Sequence, residues 1–292
     1  MAKETIAVLL ALGAALFIAI SDVTHQRSAQ TISDEPMGPV ALFTRLLADR
    51  RWWAGSLVAA VGFALQAAAL GMGSVLLVES LLVTSLLFAL PISARQSGRR
   101  LGRSVWLWAA LLVGAETVII TVGNPTAGQS HASFLTWAWV ITTLGPMVVL
   151  CLLGARMFGG RVAAVLLAVL SATSWGIVAV LTKGVVESIG HGLRPLLVSP
   201  ELYACAAVAV AGTMFQQSSF RAGALTASLP TMTVLEPMVA AGLGMVLLGE
   251  VLRPTRGAEV ILALAVAVLV VAVAVLSRDE AVTEADPVPT AA

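Results

Sequence analysis

The sequence predicts an all-α polytopic membrane protein of about nine transmembrane helices, in two inverted four-helix repeats joined by a central helix. Three observations carry that prediction. Of 292 residues, 59% are hydrophobic and only 11% charged, whereas soluble domains average roughly 25% charged residues. Nine apolar stretches reach the length needed to cross a bilayer, which is about 20 residues; they cover roughly 5–26, 52–71, 74–94, 104–122, 132–154, 162–186, 200–220, 223–249 and 257–277. Finally, the two halves of the chain match one another in short polar and glycine patterns.

The first span follows Lys3 and could pass for a signal peptide. It is too long for one, carries Asp22 and His25 near its end, and has a counterpart later in the chain. Asp22 and His25 sit three apart on one helical face, where they either serve a site or simply reach water. Residues 38–51 hold too few consecutive apolar side chains to cross. Val40, Phe43, Leu46 and Leu47 share a face opposite Arg45 and Arg50, which predicts an interfacial helix lying on the membrane; a reduced tenth crossing is the alternative. Trp52 and Trp53 mark the interface at which the second span begins.

The second span carries Gln66 and ends in the tight turn Gly71-Met72-Gly73. Glu79 lies 5 residues into the third span, where it is either a gate or cation acceptor, or an acid snorkelling to the headgroups. Glu116, 12 residues into the fourth span, reads as a helix–helix or dimer contact. The fifth span is the connector, with Gly145-Pro146 inside it. Lys183 comes 21 residues into the sixth span, near its outer end, and again either serves a site or reaches water. Gln216 falls in the seventh.

The eighth span holds the strongest single candidate. Glu236 lies 13 residues into it, roughly 20 Å along the axis at about 1.5 Å per residue, close to the membrane midplane. Pro230 and Pro237 flank it, and each removes a backbone donor and frees a carbonyl, so the expectation is a helix interrupted on both sides of the acid. Intramembrane ionisable groups are costly and mark ion or substrate pathways by default; the competing reading is an acid that only holds helices together. The acidic tail from Arg278 reads as disordered.

The repeat is read from Gly62–Gln66 through Gly73, which lies over Gly212–Gln216 through Gly223 at a separation of 150. Phe17, Thr24 and His25 lie over Trp175, Thr182 and Lys183 at a separation of 158. Spans 1–4 then correspond to spans 6–9. Five crossings separate equivalent helices, an odd number, so the halves are inverted, as in many secondary transporters. The resulting units are residues 1–123, a connecting helix over 124–160, a second repeat over 161–277 and a tail over 278–292. With nine crossings, 12 of the 17 Lys and Arg residues fall on one face and 5 on the other. The positive-inside rule places the N-terminus outside and the C-terminus in the cytoplasm of an inner or plasma membrane.

Other chemistry is excluded by what is missing. There is no phosphate-cradling glycine loop, zinc-spaced His/Cys cluster or nucleophile elbow, and no basic patch dense enough for nucleic acid. The expectation is a protein that is not an enzyme and carries no cofactor, with Cys151 and Cys205 acting as small hydrophobes.

The run RRWWAGSLVAAVGFALQAAALGMGSVLLVESLLVTSLLFALPIS resembles the second and third helices of the drug/metabolite transporter superfamily, in particular its NIPA-like magnesium-transporter branch. LSATSWGIVAVLTKGV, FQQSSFRAGALTASLPTMTVLEPM and the terminal LLGEVL are similar to its second half, so the resemblance extends from about residue 5 to 277. It implies inverted helical halves, no bound cofactor and alternating access. The chain departs from the family pattern at Ser80, where proline is usual, and at Ser97–Leu101, where a glycine-glutamate-basic-leucine ending is usual; Pro230 and Gly249-Glu250 keep both in the second half.

The functional expectation is a secondary transporter of a small solute or cation, with Mg2+ or another divalent cation among the candidates. Its binding residues would be Glu236, Glu79, Gln66, Gln216, Pro230 and Pro237, with Asp22, His25, Lys183 and Glu116 in second rank. A proton-coupled metabolite or drug exporter is the alternative, and a non-transporting membrane scaffold is the alternative of another class. The expected partners are the substrate and the lipid bilayer; a homodimer is left open.

Overall fold

The computed structural model describes residues 2–31, 50–96, 101–222, 225–254 and 257–285, and nearly all of them are helical. The helices are α1 (Ala2–Thr31), α2 (Arg50–Leu70), α3 (Val75–Leu82), α4 (Ser85–Gln96), α5 (Arg103–Gly123), α6 (Phe134–Met157), α7 (Gly160–Gly190), a short α8 (Leu193–Val198), α9 (Pro200–Arg221), α10 (Leu225–Leu248) and α11 (Glu259–Ala285). Two-residue strands β1 (Pro125–Thr126) and β2 (Val251–Leu252) pair antiparallel. Among the described residues, eight segments are long and apolar enough to cross a membrane, taking α3 and α4 together. The protein is a membrane-embedded bundle of apolar helices. α9 has the length but is less apolar, because Gln216, Gln217, Ser218 and Ser219 crowd its last turns.

Two expectations about elements are corrected, and a third falls outside the described residues. The expected interruption of the eighth span is absent: α10 stays helical through both Pro230 and Pro237. Proline already has a helical φ, so its cost in a buried membrane helix is the lost donor rather than the path of the chain. The interruption is instead in the third span, where two residues, Val83 and Thr84, separate the end of α3 from the start of α4. There the bonds tighten to i→i+3 type, Val83 N–H to Ser80 C=O and Thr84 N–H to Leu81 C=O, while the Thr84 hydroxyl donates to the Leu81 carbonyl at 2.6 Å. The tail expected to be disordered from Arg278 continues as helix to Ala285, since Asp279–Ala285 is rich in residues that tolerate helix well. The expected interfacial helix over 38–51 lies outside the described residues, apart from Arg50 and Arg51, which already belong to α2.

Packing follows the logic of a membrane interior, where close approach of small residues replaces the hydrophobic drive of water. α1 lies along α2 and touches α3 and α4, while α7 lies along α9 and α10. α5 and α11 pack on each other. The buried face of α1 is made of Ala7, Ala11, Ala14, Ala15 and Ala19, each fully buried. Side chains such as Trp139, Leu150 and Leu153 on α6, and Val260 and Leu264 on α11, remain exposed and form the lipid-facing surface.

Two glycines let neighbouring helices approach closely. A Cβ on Gly62 of α2 would meet Phe17 and Ile18 of α1 at 3.2–3.3 Å. A Cβ on Gly212 of α9 would meet Ser174 and Trp175 of α7 at 3.1–3.5 Å.

Candidate functional site

One end of the bundle is tied by main-chain bonds between distant segments. β1 pairs with β2, the Gln129 N–H donates to the Leu248 carbonyl at 2.7 Å, and the Arg253 N–H donates to the Gly123 carbonyl at 2.8 Å. Nearby, His131 Nδ1 lies 3.0 Å from Glu201 Oε1, and Glu201 Oε2 accepts from the Ser199 hydroxyl at 2.8 Å. The α2–α3 turn belongs to the same end, because a Cβ on Gly71 would touch Val186 of α7.

Beneath this end lies a cavity of about 140 Å³, room for several waters. Its polar lining is Asp22 from α1, Gln66 from α2, Glu79 from α3, Ser85 from α4, Gln216 and Gln217 from α9, and Thr233 and Glu236 from α10. Ile18, Leu82, Val83, Phe220, Met232 and Pro237 complete it. Six residues singled out in the sequence therefore meet: Asp22, Gln66, Glu79, Gln216, Glu236 and Pro237. Asp22 faces the cavity rather than bulk water.

Glu79 does not snorkel to the headgroups. It is 3% exposed, and its Oε1 accepts from Gln66 Nε2 at 2.9 Å. Glu236 lies within electrostatic reach of both Glu79 and Asp22. Among the described residues, no Lys, Arg or His lines the cavity. The interruption between α3 and α4 falls at the wall, since Val83 and Ser85 both line it. Backbone without regular helical bonding is tolerated at membrane depth where it faces protein or water.

The remaining candidates lie elsewhere. Pro230 is buried but does not line the cavity. His25 lies on the helical backbone of α1, and its side chain is outside the described residues. Glu116 is buried inside the chain at 3% exposure, and among the described residues neither carboxylate oxygen has a hydrogen-bond partner. Ser80 is its neighbour, but that hydroxyl donates to the Leu77 carbonyl.

Lys183 does not reach water. It is buried, and its Nζ donates to Glu250 Oε1 at 2.6 Å. Glu250 was a motif residue in the sequence but not a site candidate, because a lone acid just past an apolar span reads as solvated. The structure returns it to the bundle. Gly249 takes a left-handed φ of 66°, which suits glycine at a helix C-terminus, and reverses the chain after α10. Gly244 leaves the space: a Cβ there would sit 2.9 Å from Glu250 Oε2. The fully buried carboxylate then accepts from the backbone N–H groups of Val75, at 2.8 Å, and Leu76, at 3.0 Å. Ser74 caps the third donor, Leu77 N–H, at 3.1 Å. The unpaired donors of a helix start and its partial positive charge are thus met by one serine and one glutamate, while Lys183 balances the glutamate's charge.

No family model matches the chain, and no solved structure does. The sequence is 36% identical over 290 residues to an uncharacterized protein of Corynebacterium glutamicum, covering 95% of this chain and 96% of that protein. Identity of that extent, with nearly complete overlap, places the two in one family, and the chain belongs to the family of that corynebacterial protein.

Proposed function

We propose that this protein is a secondary membrane transporter of the drug/metabolite-transporter kind, moving a small solute or cation by alternating access without a bound cofactor. The observation that carries the reading is the convergence of Asp22, Glu79 and Glu236, from three different helices, on one cavity whose lining, among the described residues, holds no basic side chain. Charged carboxylates away from water are costly unless neutralised, so such a cavity favours a cation, a proton or an exchange of the two. The described acids form no cluster of three metal-ligating side chains. A divalent cation such as Mg2+ would accordingly keep much of its water shell, as that ion usually does. The equivalent contacts of Gly62 and Gly212, and the meeting of repeat-related Gln66 and Gln216 at the cavity, support nine crossings in two inverted halves. The arginine and lysine distribution supports an outer N-terminus, an inner C-terminus and an outer position for the end that carries Lys183.

The test is flux into and out of proteoliposomes, using a panel of divalent cations, organic cations and neutral metabolites, with and without an imposed proton gradient. Saturable flux of a cationic substrate, reduced by Glu236→Gln, is expected. Folded, correctly inserted protein that moves none of the panel under either gradient would overturn the reading in favour of a non-transporting membrane component.

A further inference from the structure

We infer that the Lys183–Glu250 pair, seated on the first turn of α3, is the gate closing the cavity towards the Lys183 end. This rests on the transport reading above. The geometry gives the pair three attachments at once. Lys183 belongs to α7, Glu250 follows α10 directly, and the two N–H groups that Glu250 accepts belong to α3. α3 and α10 each contribute an acid to the cavity, Glu79 and Glu236. Leu70, Val75, Val78, Leu243 and Leu247 belong to one buried apolar cluster beside this end of α3 and α10. There the Glu250 carboxylate joins α3, α7 and α10 together.

Opening this end requires α3 to part from α10, and therefore requires the carboxylate to leave the helix start. Val75 and Val78 share a buried apolar cluster with Leu243 and Leu247, which also holds α3 to α10, and Gly244 leaves room for the carboxylate beside them. The hold that Glu250 adds is electrostatic and directional: an anion faces the positive end of a helix and a buried ammonium faces the anion. Such a contact is either made or broken, as a two-state gate needs. Glu79 lies close enough to feel the charge of Glu250, so charge arriving at the cavity acts on the gate without a separate relay.

The experiment measures access from each side, independently of flux. In the full-length chain carrying Cys151→Ala and Cys205→Ala, Ser85→Cys supplies a thiol on the cavity wall. A membrane-impermeant charged maleimide is then applied to sealed vesicles of either orientation. Low labelling from the Lys183 face is expected in that parent, rising at least tenfold with Lys183→Met or Glu250→Gln. Gly244→Ala, which crowds Glu250 and removes no charge, should raise it by a smaller factor and keeps the test open if the charge variants fail to fold. The reversed pair, Lys183→Glu with Glu250→Lys, should not restore closure, because a lysine cannot accept from Val75 and Leu76. Unchanged labelling from that face in folded variants would overturn the gate, and so would restoration by the reversed pair. Labelling that changes in protein with no measurable flux would uphold the gate and count against the transport reading instead.

Discussion

Substitution of Glu236 by glutamine separates a binding acid from a structural one. The carboxylate stands on the cavity wall of α10 within electrostatic reach of Asp22 and Glu79, and among the described residues no basic side chain lines the same cavity. Glutamine keeps the length and branching of the side chain and removes its charge. A hydrogen bond or contact to a charged group contributes about 1.5–3 kcal/mol, and each 1.4 kcal/mol is a factor of ten in affinity. Loss of that contact to a cationic substrate therefore predicts an apparent affinity weaker by about 10- to 150-fold. Stability should move the other way: removing one of three neighbouring acids relieves repulsion, so the melting temperature in detergent should hold or rise. Flux as a function of substrate concentration, alongside thermal melting of the same preparation, reads both. Unaltered affinity with a lowered melting temperature would refute the assignment and make Glu236 a helix-holding residue.

Two further outcomes follow from named contacts. Glu116→Gln removes a buried carboxylate whose oxygens have no hydrogen-bond partner among the described residues, and an uncompensated buried charge is unfavourable; detergent melting should be unchanged or higher, and flux per folded molecule should be unchanged. Gly128→Ala would place a Cβ 1.9 Å from the Leu248 carbonyl oxygen, and backbone cannot yield as a flexible side chain does. The loop that holds Gln129 against α10 must then shift, with an expected loss of roughly 1–3 kcal/mol, read as a lower melting temperature.

Much of the cavity was legible because membrane interiors make polar residues conspicuous. Asp22, Gln66, Glu79, Gln216 and Glu236 stand out in apolar spans, and the repeat spacing already paired the two glutamines. Glu250 was not legible as a site. Its role depends on Val75 and Leu76, some 175 residues away, and on glycines at 244 and 249 that also suit ordinary helix packing and termination. Lys183 was visible as a residue, but its partner was not, so its burial could not be deduced. The interruption at Val83–Thr84 has neither proline nor glycine to announce it. Pro230 and Pro237 announced an interruption that the packed helix does not make, since proline is compatible with helical φ and the surrounding protein can accommodate the freed groups.

The alanine face of α1 has a mechanical consequence. Ala7, Ala11, Ala14, Ala15 and Ala19 have no χ1 rotamers, so ordering them costs almost no side-chain entropy. Ser21, two residues beyond the last of them, donates its hydroxyl to the Gly55 carbonyl of α2 at 3.1 Å. The alanine face thus brings α1 close to its neighbours at little entropic cost, and one directional bond beside Asp22 fixes the register of the seam.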